Sequence, residues 1–239
     1  MTVAVSSSPS SRSTKLSELR ERVNQMQGRP ASQPVATHPA LAGLLQLQTG
    51  SSYAVDSASL AIALMAGPSA DGAWCGVVGS SELGLEAAAA AGVELSRTIL
   101  VPDPADAWLE VTAALIDVLG VVVLRAPSSV SDGEVARLSA RLRQRGAILI
   151  SWGDWPRCEA RLTMRDAQWG GLGQGHGHLQ ARQVTVDVRR GTAPARSGRL
   201  WLPDADLAIR RVDLAVGAPP AGTLFPASGG QPTALRSVS

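Results

Sequence analysis

Residues 51–67, SSYAVDSASLAIALMAG, decide how this chain is read. Ser52 to Val55 favour a short strand, and Ser59 to Ala66 favour an apolar helix that Gly67-Pro68 should stop. In many α/β proteins such a junction holds the phosphate loop G-x-x-x-x-G-K-[ST], whose lysine reaches the β- and γ-phosphates. Here the turn is only Asp56-Ser57-Ala58, with neither glycine nor lysine. Lys15 is the only lysine of the chain; it lies in a polar N-terminal region and follows no strand, so it is not a phosphate-loop lysine.

Downstream of this junction strands and helices alternate. Residues 74–78 read as a buried strand and 83–91 as a helix ended by Gly92. Residues 98–101 form the next strand, and Asp103-Pro104 supplies an N-cap with proline at the first helical position, opening a helix to about residue 119. An apolar strand at 121–124 follows. Ser131-Asp132-Gly133-Glu134 is a capping box leading a helix with Val135, Leu138 and Leu142 inward, and Gly146 stops it. Residues 147–151 are the next strand. Continuous apolar strands between helices imply a mainly parallel sheet covered on both faces. Beyond Trp152 the pattern changes to alternation at 160–164 and 179–188, a glycine-rich stretch at 170–177 read as a loop, and a strand at 200–202. This is an antiparallel hairpin region appended to the parallel sheet.

Around this core, residues 1–13 are expected to be disordered, and 14–28 form a helical arm with Leu16, Leu19, Val23 and Met26 on one stripe. The proline-bearing link 29–39 should be extended. The expected organisation is an N-terminal region and arm over residues 1–38, an α/β core over 39–205 and a flexible tail over 206–239. The arm's apolar stripe must be covered by its own core or by a partner. Hydrophobic content of 45% supports a packed core, and a net charge of +2 gives no overall field that would demand a nucleic-acid partner. No apolar run approaches the roughly 18 residues of a membrane span, and the N-terminus lacks the apolar core of a signal peptide, so the expected location is the cytoplasm. Cys75 and Cys158 form no Cys-x-x-Cys and suggest neither a disulfide framework nor a zinc site.

The order of elements over residues 49–202 resembles the RecA-type recombinase core. The run Cys75-Gly-Val-Val-Gly-Ser-Ser-Glu-Leu-Gly-Leu-Glu86, closing on Ala91-Gly-Val-Glu-Leu95, is similar to the RecA strand and helix that carry its catalytic glutamate. Thr98-Ile-Leu-Val-Pro-Asp-Pro104, a helix, and Gly120-Val-Val-Val-Leu124 resemble the path to the Walker B strand. On that resemblance Asp56, Ser57 and Ala58 replace the Walker A loop, and Asp56 adds a negative charge where phosphate would sit. Arg125 stands where the magnesium-organising aspartate belongs, and Glu82 lies near the place of the catalytic glutamate. The expectation is a degenerate nucleotide site with no cofactor and no ATPase activity. The DNA-binding loop after the fifth strand is reduced to residues 153–158. The degenerate core, N-terminal arm, Gly175-His-Gly-His-Leu179 and irregular tail together resemble the actinobacterial ImuA-type, RecA-like mutasome accessory family. Membership implies a non-catalytic partner of an inactive, ImuB-type Y-family polymerase homologue and, through it, of an error-prone C-family polymerase. The context would be translesion synthesis and mutagenesis in the DNA-damage (SOS) response. The arm residues Leu16, Leu19, Val23 and Met26 and the tail cluster Leu224-Phe225-Pro226 are the candidate partner contacts, with self-association through the arm as a second use.

Other candidates compete with these. Arg137, Arg141, Arg143 and Arg145 crowd one helix and form a basic ridge able to touch phosphate, against the alternative of a solvated helix face. That ridge would suit a DNA-binding recombination mediator. A damage-induced inhibitor acting by protein contact, in the manner of related cell-division inhibitors, is the other alternative. His176 and His178 share a strand face but have no visible third ligand, so no metal is expected. Trp74, Trp108 and Trp201 are read as core, while Trp152 and Trp155 flank a strand end as core or as a contact hot spot.

Overall fold

The computed structural model of the chain describes residues 32–173, 176–212 and 225–226. The expected arm with Leu16, Leu19, Val23 and Met26, and Leu224 of the tail, lie outside these residues. A two-stranded antiparallel ribbon, β1 (Pro34–Val35) with β2 (Leu47–Gln48), leads into β3 (Ser52–Val55). Then follow α1 (Ala58–Ala70), β4 (Cys75–Val78), α2 (Leu85–Ala90), β5 (Thr98–Val101), α3 (Trp108–Val118), β6 (Val121–Arg125), α4 (Asp132–Arg145) and β7 (Ile148–Trp152). The chain continues with β8 (Ala160–Gly173), β9 (His176–Arg189), β10 (Arg196–Trp201), β11 (Arg210–Arg211) and β12 (Phe225–Pro226). One sheet orders these strands β11-β10-β9-β8-β3-β7-β6-β4-β5, with β12 pairing β8 beside this path. From β8 to β5 all pairings are parallel, and from β8 to β11 all are antiparallel. The fold is α/β, a mostly parallel sheet flanked by helices with an antiparallel wing.

The two faces bury different layers. Val121, Val123, Ile148, Ile150, Tyr53 and Val55 pack on α1, on Ala88 of α2 and on Leu41, Leu44, Leu45 and Leu47 of the N-terminal segment. Val122, Leu124, Leu149 and Ala54 pack on α3, α4 and Trp155. Alternate residues of the inner parallel strands β3, β4, β6 and β7 therefore serve opposite cores, which is why these strands are largely apolar. Helix α4 has the expected form: the Ser131–Glu134 capping box is complete, Val135, Leu138 and Leu142 are buried, and Gly146 takes φ +70° as the left-handed C-cap.

Four expectations need correction. Gly67-Pro68 does not stop α1, which runs on to Ala70 with Leu60 through Ser69 buried. That helix lies between the sheet and residues 36–38, which approach Gly67 so closely that burial outweighs the local breaker signal. Asp103-Pro104 opens a 3-10 turn at Ala105–Ala107, Ala105 has φ +47°, and the α-helix starts only at Trp108. The glycines at 170–173 belong to strand β8 and not to a loop; the hairpin absorbs them through register shifts between Arg165 and Gln168 and between Gly170 and Leu172. Finally, the folded unit is wider than residues 39–205. Pro34 and Val35 pair with β2, Ile209 is buried, and β11 pairs with β10, so the described core reaches Val212.

Candidate functional site

In open α/β sheets ligands bind beyond the carboxyl ends of the parallel strands, and there β3, β6 and β7 bring the expected residues together. β3 ends at Val55 and α1 begins at Ala58, so Asp56 and Ser57 are the whole connection. Both are engaged. Ser57 caps α1, its hydroxyl accepting from the Leu60 N–H at 3.4 Å. The Asp56 carboxylate accepts from the Met164 N–H of β8 at 2.8 Å. Ala58 is the first helical residue and offers only its backbone.

Two strands away, Arg125 ends β6 and is exposed, with its guanidinium over the Trp152 ring at 4.2 Å. That stack places a guanidinium cation at the carboxyl end of β6. Main-chain bonds close the strand ends. Gly153 N–H donates to Val55 O at 3.0 Å, Ala126 N–H to Trp152 O at 3.1 Å, and Gly79 N–H to Val101 O at 2.9 Å. These three amides are spent on neighbouring strands. Glu82 sits exposed in the loop between β4 and α2, outside this set of strand ends.

The arginine ridge of α4 is divided by the structure. Arg141 pairs with Asp117 of α3 at 2.5 Å and also donates to Ala113 O, while Arg145 reaches the other oxygen of Asp117 at 3.2 Å. Arg137 lies 3.8 Å from Glu110. These three share one stripe, and Arg141 and Arg145 tie α4 to α3 through Asp117; Arg143 is off it, its Cα packed near Gly50. The tryptophans also divide. Trp155 is buried and Trp152 is half-buried under Arg125, but Trp74 is 48% exposed and so is not core. Trp108 and Trp201 are half-buried. Phe225 and Pro226 pair in register with Trp169 and Gln168 of β8.

Burial pushes the Cys75 thiol up to about 11 and raises that of Cys158 as well, which leaves both as poor nucleophiles. Among the described residues no group of three or more His, Cys, Asp or Glu side chains is placed to hold a metal ion.

Two surfaces had no place in the sequence reading. Among the described residues β5 pairs only with β4, and this edge exposes Ile99 and Leu100 at 38% and 40%. The sequence reads residues 98–101 as a strand without its place in the sheet, and the sheet order reveals the edge. The second is a set of arginines at the far end of the wing, separated in sequence and gathered by β9, β10 and β11.

Residues 40–157, from the first 3-10 turn to the loop after β7, match the profile of a family described as the MT3502 N-terminal domain. A curated relative, the "Uncharacterized protein Rv3395c" of Mycobacterium tuberculosis (strain ATCC 25618 / H37Rv), is 34% identical over 134 residues. That alignment takes in 55% of this chain and 61% of the relative, so the chain spans about three fifths of its length. The chain is thus similar to an MT3502 N-terminal domain over the parallel α/β half, the half that carries the two-residue β3–α1 connection.

Proposed function

We propose that this chain is a non-catalytic, RecA-like adaptor of an error-prone translesion-synthesis complex in the DNA-damage response. Its partner would be an inactive Y-family polymerase homologue and, through it, a C-family polymerase. The observation that carries the non-catalytic part is the β3–α1 connection, in which Asp56 is tied to β8 and Ser57 to the helix it caps. Arg125 on Trp152 supports the same reading, because the cation occupies the strand end where metal would be organised. The adaptor part rests on the family resemblance. The edge of β5 supports it, since an edge with exposed apolar residues accepts a partner strand through main-chain bonds. The mediator alternative loses support, because Arg141 and Arg145 of the ridge share Asp117 of α3 and Arg137 lies beside Glu110.

The test is co-purification with the inactive polymerase homologue of the same organism, using the full chain and a chain truncated after Val212. Binding by the full chain supports the adaptor reading, and its loss on truncation places the contact in the tail. Two folded proteins that form no complex would refute it. ATP turnover above background that disappears in Arg125→Ala would refute the non-catalytic assignment.

A further inference from the structure

Charge is segregated between the halves of the sheet. Residues 39–152 carry six arginines against eleven carboxylates, a balance of −5, whereas residues 160–212 carry nine arginines against four aspartates, a balance of +5. Within the wing three arginines are paired: Arg161 with Asp154, Arg165 with Asp166 and Asp187, and Arg210 with Asp204 and Asp206. Arg182 is half-buried, donating to Leu202 O and the Ser59 hydroxyl. The other five, Arg189, Arg190, Arg196, Arg199 and Arg211, are all exposed, and none has a carboxylate partner among the described residues.

These five share one corner. Arg196 lies opposite Val188, the residue before Arg189; Arg199 lies opposite Thr185; and Arg211 lies opposite Leu200. Three of them are held by main-chain oxygens of the N-terminal segment. Arg190 donates to Gln46 O at 3.3 Å, Arg196 to Gly43 O at 3.4 Å and Arg211 to Ala42 O at 2.6 Å. Each contact uses part of a guanidinium that carries five N–H donors, which orients the group and leaves donors free. Arg190 and Arg196 line a groove of about 420 Å³ with Thr37, Gly43, Leu44 and Gln46. Arg189 and Arg199 fall on the opposite face, where Trp201, two residues from Arg199, is half-buried. The core layer of α3 and α4 contains no residue of β9 or β10, so that face carries no buried helix layer.

We propose that this arginine corner binds the sugar-phosphate backbone of a single-stranded nucleic acid. The guanidinium fork matches phosphate oxygens, five arginines without a carboxylate partner gather at one corner of the wing, two of them lining the groove on one face, and on the other face Trp201 beside Arg199 gives a base a surface to stack on. Asp187, already paired with Arg165, lies on the face of Arg189 and Arg199 and is felt by Arg189, and Glu159 shares the neighbourhood of Tyr53 with Arg190; neither forms an ion pair with the five.

The test is fluorescence anisotropy with labelled 20-mers of oligo-dT and oligo-rU against the full chain, from 50 to 200 mM salt. Neutralising five phosphates of a single strand gives a log–log salt slope of about −3.5, an affinity loss of roughly 100-fold over that range. Arg189→Glu with Arg199→Glu removes no intramolecular bond described here, so the fold should survive. It should weaken binding at least tenfold and flatten the slope to about −2. Equal binding of dT and rU supports backbone recognition, and a preference for one supports it while naming the sugar. Three results would each overturn it: no binding at 50 mM salt, unchanged affinity in the double variant, or equal binding to polyglutamate. An Arg137→Ala, Arg141→Ala, Arg145→Ala chain is expected to bind as the wild type does, and loss there alone would move the site to α4 and overturn the corner.

Discussion

Replacing Gly67 by alanine should destabilise the protein, against the ordinary helix rule. Gly67 lies inside α1, where alanine is normally better by about 1 kcal/mol. A Cβ here would stand 2.5 Å from His38 N, 2.7 Å from Thr37 C and 2.9 Å from Ala36 O. All three are main-chain atoms, so no rotamer change relieves the contact. Residues 36–38 would have to lift, and they lead into Leu41, Leu44 and Leu45, which are buried against the same helix. Overpacking costs about 1–3 kcal/mol, and three main-chain contacts under 3.0 Å put this site in the upper part of that range, at about 2–3 kcal/mol, leaving a net loss of about 1–2 kcal/mol after the helix gain. With a urea m-value of about 2–3 kcal/mol/M, the midpoint should fall by about 0.5–1 M. Gly133→Ala in α4 is the matched control: its nearest neighbour would be Ser131 Oγ at 3.9 Å, so the midpoint should stay or rise. Equal or greater stability of Gly67→Ala would refute the claim that residues 36–38 are wedged against the helix.

Asp117→Ala removes the shared partner of Arg141 and Arg145, and because the pair is partly exposed the loss should be about 1 kcal/mol, read by urea titration at low salt and shrinking in 1 M NaCl. An effect that ignores salt would show that the clamp is not electrostatic. His38 caps the first 3-10 turn through Nδ1, which accepts from Ala40 N–H, and burial lowers its pKa below 6.5. The unfolded chain then binds the proton more readily, so stability is whole above pH 6.5 and is lost as pH falls below it, levelling out beneath the folded pKa. His38→Asn keeps a capping acceptor and should flatten the slope of stability between pH 7 and 5; an unchanged slope would clear His38 of that dependence.

Much of the parallel half was legible because its signals are local. Ser131 and Glu134 are three residues apart and cap each other, and Gly146 ends the helix through its own backbone angle. The misread features depend on distant partners. Nothing near Gly67 announces that residues 36–38 cross it, and nothing near residues 170–173 announces a strand until β9 is laid alongside. At the candidate site the missing loop and Arg125 were legible, but the Asp56–Met164 bond spans 108 residues. The arginine corner was illegible for the same reason: the oxygens that orient Arg190 and Arg196 lie 144 and 153 residues earlier.

The brevity of the β3–α1 connection also bears on what this fold can become. A phosphate-cradling loop is a motif of about eight residues, and most of its work is done by main-chain amides. No exchange of side chains at Asp56 or Ser57 supplies those amides; only an insertion would, and it would first have to break the tie to Met164 and uncap α1. Point substitution therefore cannot carry this junction to nucleotide binding. Variation is free to act on its surfaces while the strand ends stay closed.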